Sequence, residues 1–298
     1  MGIKVLVTGA RGYIGSALTR RLDSLGVKWV PFQGNVCDPK VFESFEDCSS
    51  VVHLAGKLRV ESNLEAQTGL MDTNIIGTYN AARFAAQGNR SFFYASSCHY
   101  DPTEPVPSDE SVQITHSSPY SFSKFSGETL IEGWRRYFDL TGAVFRIFNV
   151  YGPGQNKGFV IPDLLAQVAS GEVSVMNLDD ERDFVFIDDV ARLMATAVMT
   201  PHDDLVTVNV GSGQTQSIGQ VLDQMFALTG RTLPVKDRGL RSAIPHSQAD
   251  ISFAKDFYQW TPRVSFDAGL ASIVKHTFQQ HPKEQNEHTS GFGKLLER

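Results

Sequence analysis

Apolar and polar positions change period repeatedly along this chain. Residues 3–8 form a short run rich in β-branched side chains, the pattern of a buried strand. Gly9, Gly12 and Gly15 follow, and Ile14, Leu18, Leu22 and Leu25 then recur at helical spacing up to Gly26, where the helix is expected to stop. Residues 27–32 and 51–55 predict a second and a third strand, 74–86 a helix, 91–96 a strand, 119–138 a long helix and 143–150 a further strand. Strands alternating with helices indicate βαβ units, hence a doubly wound α/β fold with a parallel sheet covered on both faces.

The rhythm changes after Gly152-Pro153-Gly154. Residues 159–169 predict a helix, 173–176 a short strand, 184–199 another apolar stretch and 205–210 a strand, and Pro234, Pro245 and Pro262 punctuate an irregular last third. That part is expected to form a smaller lobe over the sheet. Residues 282–291 are polar, and a mobile tail is expected over 282–298. No internal repeat is visible.

With 298 residues the chain is long enough for an ample core. A net charge of −6 argues against a nucleic-acid partner. Cys37, Cys48 and Cys98 are odd in number and form no C-x-x-C pair, so neither a disulfide framework nor a zinc site is expected, and a reducing cytoplasm fits. The first residues do not read as a signal peptide, and no run approaches the ~18 apolar residues of a membrane span.

The segment V-L-V-T-G-A-R-G-Y-I-G joins the first strand to the first helix. Glycines there let the backbone turn sharply and approach a pyrophosphate seated on the helix N-terminus. The spacing is G-x-x-G-x-x-G, and it points to a dinucleotide. The second strand runs out in W-V-P-F-Q, with no acid at the place where one usually holds the ribose 2′-hydroxyl. Arg11 lies inside the turn, in reach of a 2′-phosphate. The expected cofactor is therefore NAD(P), leaning to NADP; a solvated Arg11 is the alternative.

Y-S-F-S-K places Tyr120 and Lys124 four apart, on one helix face. An ammonium near a phenol favours the phenolate and is expected to lower its pKa toward general acid-base use. Ser96 and Ser97 stand at the end of an earlier strand, in A-S-S-C-H-Y-D.

Taken together, T-G-A-R-G-Y-I-G (8–15), G-N-V-C-D-P (34–39), H-L-A-G (53–56), N-I-I-G-T (74–78), Y-S-F-S-K (120–124), R-I-F-N-V-Y-G-P (146–153) and R-D-F-V-F-I-D-D-V (182–190) resemble the extended short-chain dehydrogenases/reductases of the NAD-dependent epimerase/dehydratase family, which act on nucleotide sugars. The resemblance covers nearly the whole chain. It implies a Rossmann domain over 1–155 plus about 184–225, and a substrate-binding lobe over about 156–183 plus 226–281. It implies that Tyr120 is the acid/base at the sugar oxygen, that Lys124 tunes it and holds the nicotinamide ribose, and that Ser96, four residues before Tyr100, polarises the same oxygen, with Ser97 second. It places the cofactor against Gly9, Arg11, Gly12, Tyr13, Ile14, Gly15, Val36, Asp38, Leu54, Ala55, Gly56 and Asn74, with Asp38 at the adenine. Asn149, Val160 and Arg182 fall to the substrate, and Arg238 or Arg241 to its diphosphate.

Dehydratases of the family usually carry an Asp-Glu pair after the catalytic hydroxyl; Ser97 and Cys98 stand there, so a 4,6-dehydratase is not expected. The S-S-C-x-Y pattern is similar to that of GDP-fucose synthase, whose cysteine exchanges ring protons, which makes Cys98 a candidate; a small buried apolar role is its alternative. The histidine that precedes V-I-P in that enzyme is Phe159 here; His99, beside Cys98, is the available substitute, but alternation along an extended segment points it the other way. His53 is read as cofactor packing or a structural histidine, Asp179, Asp180 and Glu181 as a solvated turn, and no metal site is assigned. The resemblance implies a nucleotide-sugar 4-epimerase or 4-ketoreductase and a homodimer. A reductase of a small non-nucleotide carbonyl compound and a non-catalytic NADP-binding sensor stay open.

Overall fold

The structure, a computed structural model, describes residues 3–58, 64–100, 106–112, 114, 118–240, 242 and 244–280. In chain order its elements are β1 (Lys4–Thr8), α1 (Tyr13–Ser24), β2 (Lys28–Pro31), α2 (Pro39–Phe42), β3 (Ser50–His53), α3 (Leu64–Met71), α4 (Gly77–Gln87), β4 (Ser91–Ser97), α5 (Pro119–Phe138), β5 (Gly142–Ile147), β6 (Asn149–Tyr151), α6 (Val160–Ser170), β7 (Val173–Val175), β8 (Glu181–Phe186), α7 (Ile187–Met199), β9 (Leu205–Val210), β10 (Thr215–Ser217), α8 (Ile218–Thr229), β11 (Val235–Asp237), β12 (His246–Ser247), α9 (Ser252–Tyr258) and α10 (Phe266–Gln280).

The large sheet is parallel throughout, in the order β2-β1-β3-β4-β5-β9. Leu18 and Leu22 of α1 and Val190, Leu193 and Met194 of α7 cover one face with Val7, Phe93 and Val208. Ala81, Ala82 and Ala85 of α4 and Ile131 of α5 cover the other with Leu6, Val51 and Phe92. Two covered faces explain why these strands read as continuous apolar runs. Strand order reverses at β1, which has β2 on one side and β3 on the other. Crevices for ligands open at such a switch point, beyond the carboxyl ends of the strands.

A second sheet runs β10-β8-β12, with β6 also paired to β8; β7 and β11 form a separate pair. A second core gathers Tyr151, Leu164, Phe184, Phe186, Val221, Met225 and Leu270 from β6, α6, β8, α8 and α10.

Two expectations need correction. The strand expected over 143–150 is two strands: β5 ends at Ile147, the Phe148 amide bonds the Val210 carbonyl at 3.0 Å, and β6 then joins β8. The run is apolar on both sides of the break, so periodicity carries no mark of it. The helix expected over 74–86 begins as a wide turn over Asp72–Ile76 that continues α3 into α4. Within the segment expected to form the lobe, Ala254, Tyr258 and Trp260 at α9 join the core of the large sheet. The tail over 282–298 lies outside the described residues. Among the described residues no helix is long and apolar enough to cross a membrane.

Candidate active site

At the end of β1, Gly9 adopts a left-handed φ of 68°. A Cβ on Gly15 would overlap the Gly9 carbonyl oxygen, so only glycine lets α1 start this close to β1. Gly12 is the N-cap of α1, and no side chain caps that helix. Its first-turn amides are thus left for an anion at the positive end of the helix. These features fit the pyrophosphate of a dinucleotide.

Thr8 ties β1 to the end of β3. Its Oγ1 accepts from the amides of Leu54 and Ala55, both at 3.1 Å, so its proton goes to His53 Nδ1 at 2.8 Å. His53 then carries its proton on Nε2, which faces Thr78 Oγ1 at 3.2 Å, and Thr78 donates to the Asn74 carbonyl at 2.7 Å. The ring stacks on Phe92 and Tyr94, and burial lowers its pKa to about 3. His53 is therefore a neutral structural histidine inside the wall. Asn74 is equally committed: its amide donates to the Lys57 carbonyl and to Ser123 Oγ, both at 2.9 Å, and its Oδ1 accepts from the Lys57 amide at 2.8 Å.

Ser118 caps α5 in a reciprocal capping box with Ser121, with Pro119 at the first turn. That start presents Tyr120 and Lys124 to the end of β4. Lys124 is buried; its Nζ donates to the Ala95 carbonyl at 2.8 Å and stands 4.9 Å from the Tyr94 ring centre. Burial lowers its pKa to about 8. The Tyr120 phenol is raised above its ordinary value by burial, and a hydrogen bond with Ser97 pulls it partly back. The expected lowering by Lys124 is not met, because its ammonium is held on Ala95, 6.0 Å from the Tyr120 ring centre.

The two serines divide differently from expectation. Ser96 Oγ donates to Glu128, which is ion-paired to Arg146 at 2.9 Å. Ser97 lies beside Tyr120, and its Oγ is 2.8 Å from His99 Nδ1. Ser96, Ser97 and His99 all line the same cleft. His99 thus faces the cleft, against expectation, because β4 ends at Ser97 and strand alternation no longer sets its direction. Cys98 reaches the cleft too, because the Tyr100 amide folds back to the Cys98 carbonyl at 2.8 Å and ends the strand. Burial pushes the Cys98 thiol up to about 12, so it stays a thiol near neutral pH.

One cleft of about 700 Å³ unites these groups, within the usual range for small-molecule sites. It is lined by Gly9, Gly12, Tyr13, Ile14 and Gly15, by Leu54, Gly56, Lys124, Tyr120, Ser96, Ser97, Cys98 and His99, and by Asn149, Val160 and Arg182. Arg182 is held by Asp180 at 3.3 Å, by Ser242 Oγ at 3.0 Å and by the Pro245 carbonyl at 3.2 Å. Asp180 is therefore a buried ion-pair partner rather than part of a solvated turn. Asn149 donates to the Asp183 carbonyl at 3.1 Å.

Several expected residues are not among those lining this cleft. Arg11 and Arg238 are exposed; Val36 is buried and accepts a bond from Asn80; Ala55 is tied to Thr8. The Asp38 carboxylate caps α2 by accepting the Lys40 amide at 3.0 Å. Arg241 lies outside the described residues. Conversely, Lys57, Gln155, Ile244 and Ser247 line the cleft without having been anticipated. They come from irregular segments that carry no periodic signal.

The family model described as "NAD dependent epimerase/dehydratase family" matches residues 5–211. The chain is 28% identical to a UDP-glucuronate 4-epimerase of Thermodesulfobacterium geofontis, over 78% of this chain and 73% of that one. It is 27% identical to dTDP-glucose 4,6-dehydratase 1 of Escherichia coli, over 92% of each. It superposes on the crystal structure of UDP-glucose 4-epimerase with UDP-glucose from Thermotoga maritima with a TM-score of 0.82 and 25% identity, over 93% of this chain and 99% of that one.

Proposed function

The chain belongs to the NAD-dependent epimerase/dehydratase family, and from that membership we propose that it acts on a nucleoside-diphosphate sugar by hydride transfer at C4, as a 4-epimerase or 4-ketoreductase. One observation carries this reading. Tyr120, Ser97 and Lys124 line the same cleft as the glycine turn, and so do Arg182 and Asn149.

The amides at the start of α1 would hold the pyrophosphate of a dinucleotide, and Lys124 and Gly56, on the same cleft, would face its nicotinamide half. Bound there, the cofactor would supply hydride transfer at the sugar carbon and, when oxidised, a positive charge that favours the phenolate of Tyr120. Tyr120 carries the proton of the sugar oxygen in both directions. Ser97 donates a hydrogen bond to that same oxygen and replaces Ser96 in the role. Arg182 pairs with the diphosphate. Among the described residues lining the cleft there is no Asp or Glu, which favours these reactions over elimination of water by a carboxylate pair. The preference for NADP rests on Arg11, exposed in the glycine turn, and on the missing acid at Phe32-Gln33. A homodimer through α4 and α5 is supported by the exposed Tyr79, Phe122 and Phe138 on these helices.

The test is to incubate the protein with NAD or NADPH and a panel of UDP- and dTDP-sugars and their 4-keto forms. C4 inversion is followed by NMR, and NADPH oxidation by absorbance. Turnover lost in Tyr120→Phe supports the reading. Turnover retained in that variant, or no binding of any sugar nucleotide, overturns it.

A further inference from the structure

Ser97 Oγ has one proton and two neighbours that compete for it. Tyr120 lies beside it, and His99 Nδ1 is 2.8 Å away. The imidazole is held in place by more than this bond, since its ring meets the Tyr120 ring edge-on at 5.4 Å and 67°. Burial lowers the His99 pKa, so the ring is neutral near pH 7 and carries a single proton. Where that proton sits decides what Ser97 can do. A bare Nδ1 would take the serine proton and leave only lone pairs for the reaction centre. A protonated Nδ1 would donate to Ser97 and leave its proton free for the oxygen at Tyr120.

We propose that His99 is a positioning residue that donates from Nδ1–H to Ser97 Oγ and so holds the Ser97 proton toward the Tyr120 oxygen and the substrate oxygen it serves. The reaction needs this order. Ser97 polarises the sugar oxygen only while its own proton is available. A hydroxyl that accepts one hydrogen bond also becomes a stronger donor of the next. The ionisable groups that face Tyr120 are Lys124 of α5, Tyr94 of β4, and Cys98 and His99 beyond it. Lys124 is committed to Ala95 and Cys98 stays protonated, which leaves Ser97 as the neighbour to turn a hydroxyl proton toward the phenol oxygen. The inference rests on the reading of Tyr120 as the acid/base, but its first test needs no sugar nucleotide.

Protein labelled with ¹⁵N-histidine, with the His99 signals assigned by their loss in His99→Asn, reports the imidazole tautomer through two- and three-bond ¹H–¹⁵N couplings. The expected result is the Nδ1–H form in the wild type, moving toward the Nε2–H form usual in water in Ser97→Ala. An Nε2–H form in the wild type, or an Nδ1–H form untouched by Ser97→Ala, overturns the proposal. The second readout is the phenolate absorbance of Tyr120 in the NAD-bound protein, taken as the difference from Tyr120→Phe. His99→Phe keeps an aromatic edge without a donor and is expected to raise that midpoint by about half a pH unit, roughly threefold in proton affinity. His99→Asn, whose amide can donate to Ser97, is expected to leave it near the wild type. Equal shifts in both variants, or none in His99→Phe, would sink the role of His99 while leaving the sugar-nucleotide reading to its own test.

Discussion

The hydroxyls of Ser96 and Ser97, adjacent on β4, have different partners: Ser96 donates to Glu128 of α5, and Ser97 Oγ lies 2.8 Å from His99 Nδ1, beside Tyr120. Substitution separates the two. Ser97→Ala is expected to lower turnover by about 10²–10³, the usual loss of a donor at a developing oxyanion, with little change in melting. Ser96→Ala is expected to keep turnover within a few-fold and to lose about 1 kcal/mol of stability, since Glu128 keeps its Arg146 partner at 2.9 Å. Turnover and thermal melts of both variants check this.

Arg182 is fixed before any ligand arrives, by Asp180, Ser242 and the Pro245 carbonyl. A pre-positioned guanidinium loses little freedom on pairing with a diphosphate. Arg182→Ala is expected to raise KM for the sugar nucleotide about 10- to 100-fold, the range of a lost charge-assisted bond, with kcat within a few-fold. Titration with free UDP and dTDP reads the same loss without turnover.

Lys124 gives stability a pH dependence. Its pKa falls from 10.5 to about 8 on folding, because burial disfavours the ammonium. Between these values the unfolded chain binds more protons, so this group's contribution to stability rises with pH through that window. Against Lys124→Met, which cannot titrate, the wild type is expected to gain about 2 kcal/mol between pH 7.5 and 9.5. Denaturant unfolding of both proteins at the two pH values measures it; a constant difference would contradict the assignment.

His53 acts at the acid end. Its pKa falls from 6.5 to about 3, so the unfolded chain binds the extra proton between these values and stability drops as pH falls below 6.5. By pH 5 the wild type is expected to have lost about 2 kcal/mol more than His53→Asn, relative to pH 7. Urea midpoints at the two pH values decide it.

Much of this was legible from the sequence, for identifiable reasons. The large sheet came from strand-helix alternation, and α5 fell on residues 119–138 as expected because Ser118-Pro119 marks its start chemically. Tyr120 and Lys124 came from helical spacing. Which partner each serine takes was not legible, because Glu128, the partner of Ser96, is 32 positions away. The direction of His99 was not legible either, since β4 ends at Ser97 and alternation stops there. The loss of influence of Lys124 over Tyr120 depends on the Ala95 carbonyl, 29 positions away, and no local pattern records such a partner. Arg182 was found from its motif, but its support by Ser242 and Pro245 is long-range.

Phe148 stands alone between β5, in the large sheet, and β6, in the second. Asn149 begins β6, and β6 is hydrogen-bonded to β8, which carries Arg182. The residues assigned to grip the diphosphate therefore belong to one slab, and Ser97 belongs to another, where it pairs with Ile147 next to the crossing. On the proposed reading, a single residue would act as the gauge block between clamp and reaction centre. Ligand length would then be matched by the span of that crossing as much as by any side chain in the cleft.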